Sequence, residues 1–309
     1  MRDTLLEYVM KVDAYAPLPA ASAAYIRKAL VLVKPLSDGA TGTITECTDK
    51  ASVELLTQSK CYKMLEAGMS SILVLPTNTL NVADILQATT KKFFTIIIDP
   101  AFDNSAVSAY DYGSFSGVSA WSAPDKEQAA TFSHSKNNVG FYDTAENSGV
   151  NMFWAFGKLL SANTWKNQQY IEMPASSGID TINKAELMFD ESLSFVLSSE
   201  EYGNRLALFA SNKRAIIAPY VYEEITLNMQ SKAVQYISLN EPSYTEGEAS
   251  LLEDSLQGVI NNYINDGIIE SGSVVVELTN EQFVVKATIK VAEPRAMWRI
   301  RATMQQGDI

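Results

Sequence analysis

The last third of the chain constrains the fold more than any other stretch, because its hydrophobic period switches from helical to extended within a few residues. From Thr245 to Gly267, Leu252, Leu256, Val259, Ile260, Tyr263 and Ile264 recur at helical spacing and share one face. Thr245 and Glu248 form a T-x-x-E capping box, and Gly267 stands where a helix C-terminus favours a left-handed residue. The period then drops to that of a strand. Ser273–Leu278 and Gln282–Val291 read as a hairpin, with Phe283, Val285, Ala287, Ile289 and Val291 on one side and Lys286, Thr288 and Lys290 on the other. Beyond Glu293-Pro294, a detached strand Arg295–Met304 sets Trp298, Ile300, Ala302 and Met304 against Arg299 and Arg301. A long strand at a chain end carries an unpaired edge, and such edges are covered or pair with another molecule.

Upstream the pattern alternates strand and helix. Tyr25–Val33, Ser71–Leu75, Phe93–Ile98 and Val139–Tyr142 read as strands; Lys50–Ala67, Val82–Thr89, Pro124–Phe132 and Val150–Leu160 read as helices. Asn104–Ala120, rich in Ser, Gly, Ala and Tyr, reads as a long loop, and Leu193–Leu197 with Arg205–Ala210 as a hairpin. Strands separated by helices point to the α/β (α+β) class: mixed sheets flanked by helices, then the C-terminal helix and hairpin, with extended terminal arms. Pro17 and Pro19 keep residues 1–21 extended. The expected organisation is an arm at 1–21, an α/β body at 22–212, a C-terminal domain at 213–294 and a strand arm at 295–309.

The 309 residues are 47% hydrophobic, which is globular, and carry a formal charge of −12, which opposes direct nucleic-acid binding. The N-terminus lacks the uninterrupted apolar stretch of a signal peptide, and the sequence shows no apolar run long enough to insert in a membrane. The charge is uneven: Lys286, Lys290, Arg295, Arg299 and Arg301 fall in a short segment beside the lone acid Glu293. Together with Trp298 they are the candidate contact residues, for another subunit or another protein, although a solvated strand face is the plainer reading of each one alone.

Catalytic signals are sparse. His134 in TFSHSKNN is the single histidine, and neither a G-x-S-x-G elbow nor a phosphate-binding glycine loop occurs. Cys47 and Cys61 give neither a zinc site nor a disulfide framework and read as reduced and partly buried. Asp99 and Asp103 bracket Pro100 at the end of an apolar strand, where ordinary turn capping outweighs a metal or sugar site. Glu223-Glu224 are adjacent and diverge, so they form no dyad. The four tryptophans, Trp121, Trp154, Trp165 and Trp298, suit core or interface packing better than a sugar groove. The expectation is a protein that is no enzyme and needs no cofactor or metal.

The segments PYVYEEITLNMQ, SYTEGEASLLEDSLQGVINNYINDGIIE, SVVVEL, FVVKATIKVAEP and MWRIRATMQ, in that order, resemble the C-terminal domain of contractile tail sheath proteins of phages and related injection machines. The resemblance is clearest over residues 214–304. It implies a structural protomer that polymerises helically around an inner tail tube and contracts to drive it through a host envelope. It implies as partners further copies of the chain, the inner tube protein, and baseplate and tail terminator proteins, in a virion tail assembled in the bacterial cytoplasm. The terminal arms would add strands to neighbours' sheets, with hairpin 273–291 as receiver. Two other classes stay open: a non-contractile virion component of tube, baseplate or terminator type, and a cytoplasmic α/β hydrolase using Asp or Glu.

Overall fold

The computed structural model describes residues 6–12, 23–37, 42–81, 85, 92–108, 110, 115, 117–133, 137–144, 146–163, 165, 171–174, 188, 191, 193–199, 203–211, 214–240, 242, 245–279 and 282–291. The first element is β1 (Leu6–Val12), followed after a 3-10 turn at Ala23–Arg27 by β2 (Ala29–Val33) and β3 (Thr45–Cys47). Short helices α1 (Lys50–Glu54) and α2 (Lys63–Glu66) precede β4 (Ile72–Pro76) and β5 (Thr95–Ile98). Then come α3 (Asn104–Ser108), β6 (Val118–Ala123), α4 (Lys126–Ser133), β7 (Asn138–Tyr142) and α5 (Val150–Ser161). A hairpin of β8 (Phe195–Ser199) and β9 (Gly203–Leu208) and a small one of β10 (Ala210–Ser211) and β11 (Arg214–Ala215) lead to the long helices α6 (Ile217–Asn240) and α7 (Glu246–Asn265). The hairpin of β12 (Ile269–Thr279) and β13 (Gln282–Val291) ends the described chain.

The body is one six-stranded sheet in the order β3-β4-β2-β5-β6-β7. All neighbours are parallel except β3, which runs antiparallel to β4. Every residue of β2, β4, β5 and β6 is buried, as expected when helices cover both faces of a parallel sheet. Alternate residues serve two cores: Val31, Val74 and Ile97 face one, Leu32, Leu73 and Ile96 the other. The first core does not stop at the sheet. It continues through Phe156 on α5 and Tyr220 on α6 to Leu256 on α7 and Val285 on β13.

The α/β class, the mixed sheet and the C-terminal helix-and-hairpin unit are as the sequence leads one to expect. Helix α7 follows the local signals, except that its capping box is one-sided. Thr245 Oγ1 accepts from the Glu248 N–H at 3.3 Å, while the Glu248 carboxylate accepts from Tyr236 of α6 at 2.8 Å. At the other end Gly267 takes φ +70°, its N–H reaching the Ile264 carbonyl at 2.9 Å and that of Ile268 the Tyr263 carbonyl at 3.0 Å, a Schellman closure.

Three expectations need correction, and one helix has no counterpart in the sequence reading. Tyr25–Val33 is not one strand: its first half is the 3-10 turn, which turns Tyr25 toward Glu223 of α6. Lys50–Ala67 is not one helix. It breaks after Glu54, where the Thr57 hydroxyl donates to the Lys34 carbonyl at 2.8 Å and Ser59 caps a separate turn through the Cys61 N–H at 3.3 Å. The stretch 104–120 is not a loop throughout, since it holds α3 and the start of β6. The small residues of VSAWSA suit a central strand with helices packed on both sides. Helix α6, finally, was not legible, because it buries Ile217, Tyr220, Val221, Ile225, Leu227 and Met229 against several partners and shows no single apolar stripe. The expected helix 82–89 (beyond Ile85) and strand 295–304 lie outside the described residues, as does His134.

Candidate assembly surface

In a doubly wound sheet the carboxyl ends of the strands are the usual place for ligands. Here a cavity of about 650 Å3 opens there, lined among others by Lys34, Lys60, Asp99, Ser122 and Asp143. Its two carboxylates are occupied by the fold. Asp99 accepts from the Ser59 hydroxyl and, at 2.8 Å, from the Ala101 N–H; burial pushes its carboxyl above the ordinary range. Asp143, which sequence reasoning overlooked, accepts from the backbone N–H of Asn151 at 3.1 Å and from its side-chain amide at 2.9 Å. It thereby holds the first turn of α5, and burial raises its carboxyl to about 6. Asp103 sits apart on the surface. It caps α3 by accepting from Ser105 Oγ at 2.7 Å and the Ala106 N–H at 2.8 Å, and the Ser105 bond holds its carboxyl below the usual range. Asp99 and Asp103 therefore do turn and cap chemistry, each alone.

Glu223 and Glu224 diverge, and both join α6 to its surroundings. Glu223 accepts from the Tyr25 hydroxyl of the body. Glu224 accepts from the Trp165 indole N–H with one oxygen and from the Tyr263 hydroxyl of α7, at 2.9 Å, with the other. Trp165 stacks on Tyr220 with ring centroids 4.9 Å apart, and the Arg27 guanidinium lies 4.2 Å above the Trp165 ring. Burial lowers the Arg27 pKa, and Glu224 opposes that shift. One carboxylate thus bonds the body and the C-terminal helix together. Neither cysteine is in a disulfide and both are fully buried, and burial pushes the Cys61 thiol up to about 12, so it is inert at neutral pH.

The terminal sheet carries the candidate contact residues that the structure describes. Its order is β1-β13-β12, antiparallel throughout. Strand β1 pairs with β13 from Leu6↔Ile289 to Val12↔Phe283, so the N-terminal strand adds main chain to main chain along the hairpin. Of the candidate contact residues, Lys286 and Lys290 project from β13 away from the core, and each meets a carboxylate on β12. Lys286 pairs with Glu277 at 2.8 Å and Lys290 with Glu270 at 2.7 Å. Arg295, Trp298, Arg299 and Arg301 lie outside the described residues. Along the opposite edge, side chains of α7 reach β12. Gln257 accepts from the Val274 N–H at 3.0 Å and donates to the Gly272 carbonyl at 3.2 Å, and Glu253 accepts from the Val276 N–H at 2.9 Å.

This combination, a doubly wound body joined by a long helix to a small antiparallel sheet, recurs in solved structures. A chain in the cryo-EM structure of the anti-feeding prophage baseplate matches over 96% of this chain and 98% of its own, with 11% identity and a TM-score of 0.68. A chain of the helical sheath of the same particle in its contracted state matches over 96% and 97%, with 10% identity and a TM-score of 0.65. A chain of the contracted PVC sheath, from an extracellular contractile injection system, matches over 99% and 96%, with 11% identity and a TM-score of 0.64. No protein-family model matches the sequence and no curated protein does. The chain has the fold of contractile-sheath proteins, from the body sheet to the terminal hairpin.

Proposed function

We propose that the chain is a protomer of a contractile tail sheath: copies polymerise helically around an inner tube and contract to drive that tube through a cell envelope. The observation that carries this reading is the overlap, over nearly the full length of both chains, with proteins of contracted sheaths. Its partners are then further copies of itself, the inner tube protein, and the baseplate and terminator proteins at the tail ends. It serves in a phage tail or an extracellular injection particle and assembles in the bacterial cytoplasm. Neither turnover nor a cofactor enters, since interfaces that pack in two ways store the energy.

The arm at 1–21 and the strand at 295–309 link copies in this reading, and hairpin 273–291 receives them. The backbone pairing of residues 6–12 with β13 inside the protomer supports this reading. Residues 13–22 join that strand to the body, and ten residues can reach at most about 35 Å. Lys286 and Lys290 have carboxylate partners within the protomer, so attraction to an acidic tube falls mainly to Arg295, Arg299 and Arg301, beside Trp298.

Electron microscopy of the purified protein tests the reading. The expected result is striated tubes for the wild type and folded, non-polymerising protein once residues 1–12 are deleted. Rings or small oligomers from the wild type overturn the sheath reading, and normal tubes from the truncated chain overturn the arm. Arg299→Glu with Arg301→Glu should polymerise alone yet assemble poorly on preformed tubes; normal tube-templated assembly removes the tube contact.

A further inference from the structure

Strand β12 is the end strand of its sheet, eleven residues long, and it carries a Val274-Val275-Val276 run. Val275 is 47% exposed and Leu278 37%. A long edge with β-branched, exposed apolar residues is a template for any free strand, above all for the same strand of a second copy. We propose that Gln257 and Glu253 are a strand guard: their side chains occupy the outer edge of β12 in place of a neighbouring strand, so this sheet accepts added strands only on the β13 side.

The geometry is that of a strand. In a parallel pair, one residue donates to the carbonyl of residue j−1 and accepts from the N–H of residue j+1 on its neighbour. The Gln257 carboxamide does both, with the Gly272 carbonyl at 3.2 Å and the Val274 N–H at 3.0 Å. Glu253, one helical turn earlier, accepts from the next outward amide, Val276, at 2.9 Å. The registers agree because four helical residues rise about 6 Å and two strand residues about 6.7 Å. Asn261 fixes the amide's orientation by accepting from Gln257 Nε2 at 3.0 Å. Gly272 lets the helix come close: a Cβ there would lie 2.8 Å from Ile260 Cγ2. The other side of the hairpin differs in kind, since β13 is paired by the backbone of β1. The guard therefore closes the β12 side with side chains and leaves backbone pairing to the β13 side, where β1 lies, which sets the direction of strand addition and prevents edge-to-edge pairing of β12 between copies.

The test uses the full chain with Gln257→Ala and Glu253→Ala together. Hydrogen exchange at Val274 and Val276 should quicken at least about tenfold, the loss of one net hydrogen bond each, while Val285 keeps its protection. On incubation the double variant should form dye-binding β-aggregates that the wild type does not. Adding Val275→Lys, a charge on the exposed edge, should restore solubility. Wild-type exchange at Val274 and Val276 overturns the guard, as does faster exchange in a protein that stays soluble. Aggregation that Val275→Lys leaves unrelieved also overturns it, by pointing to general destabilisation. All readouts concern the unassembled protein, so their failure leaves the sheath proposal standing.

Discussion

In the body sheet every residue of β2, β4, β5 and β6 is buried, whereas along β12 exposed and buried residues alternate from Ser273 to Glu277. The edges differ as well. The body sheet ends on the three-residue β3 at one side, and at the other Ser194 bonds across β7, its N–H to the Gly140 carbonyl at 3.0 Å and its carbonyl to the Tyr142 N–H at 2.8 Å. The terminal sheet has two long outer strands, β1 paired by backbone and β12 capped by side chains. A sheet buried on both faces has little freedom to change partners. A sheet buried on one face, with main-chain edges, can exchange a strand without disturbing its core. In the sheath reading proposed above, such a contrast would let bodies move while only connections re-form.

The sharpest way to break this comparison is to substitute both faces of each sheet. Ile96→Ala and Ile97→Ala face different cores, and each should cost about 2–5 kcal/mol in urea denaturation. On β13, Val285→Ala should be clearly destabilising while the same change at its half-buried neighbour Lys286 costs little. A mild effect at Ile96 or Ile97 would mean that one face of the body sheet is not a packed core.

The pH dependence of the body comes next. Burial holds the Asp143 carboxyl at about 6 in the folded chain, against an ordinary value of 3.8. The folded protein therefore binds a proton that the unfolded chain has already released, so this group's contribution is fully present below about pH 4 and is lost as pH rises through about 6. Relative to Asp143→Asn, wild-type stability should fall by about 2 kcal/mol between pH 4 and pH 7. A pH-independent difference would place Asp143 in water rather than under α5.

Smaller effects are expected at the joint. Tyr220→Phe removes the hydroxyl that meets Thr95 Oγ1 at 2.7 Å in the buried seam between β5 and α6. It should cost about 1–3 kcal/mol by thermal or urea unfolding, and Thr95→Val in the same chain should recover much of that loss. If the double variant is as unstable as the sum of the singles, the two hydroxyls do not depend on each other. The smallest change is Lys286→Ala, which breaks an exposed cross-strand pair with Glu277 and should cost less than about 1 kcal/mol, fading with added salt. A loss as large as that at Val285 would show that the outer face of the terminal sheet is covered rather than exposed.

The readings that agree with the structure rest on local chemistry. The Thr245 cap, the Gly267 closure and the strand alternation through Phe283, Val285 and Ala287 are written in residues only a few positions apart. The ones that differ depend on distant partners. Nothing near Thr57 signals that its hydroxyl will donate to the Lys34 carbonyl and help split a helix. Nothing in PYVYEEITL separates a strand from a helix packed on several sides. Gln257 and Glu253 read as the solvated side of α7 until β12 folds back beside them.

By itself, then, the sequence determined the class of fold, the helix-and-hairpin unit at its end, and the direction in which each strand of that unit presents its apolar face. Those follow from short-range periodicity and capping, which operate before any long-range contact forms. Only the tertiary structure decided the strand order of the body, the bond from Ser59 to Asp99, the joining of Glu224 to both Trp165 and Tyr263, and which edge of the terminal sheet is closed. Each of these pairs groups far apart in the chain, and a buried donor or acceptor finds its partner only once packing has excluded water around it.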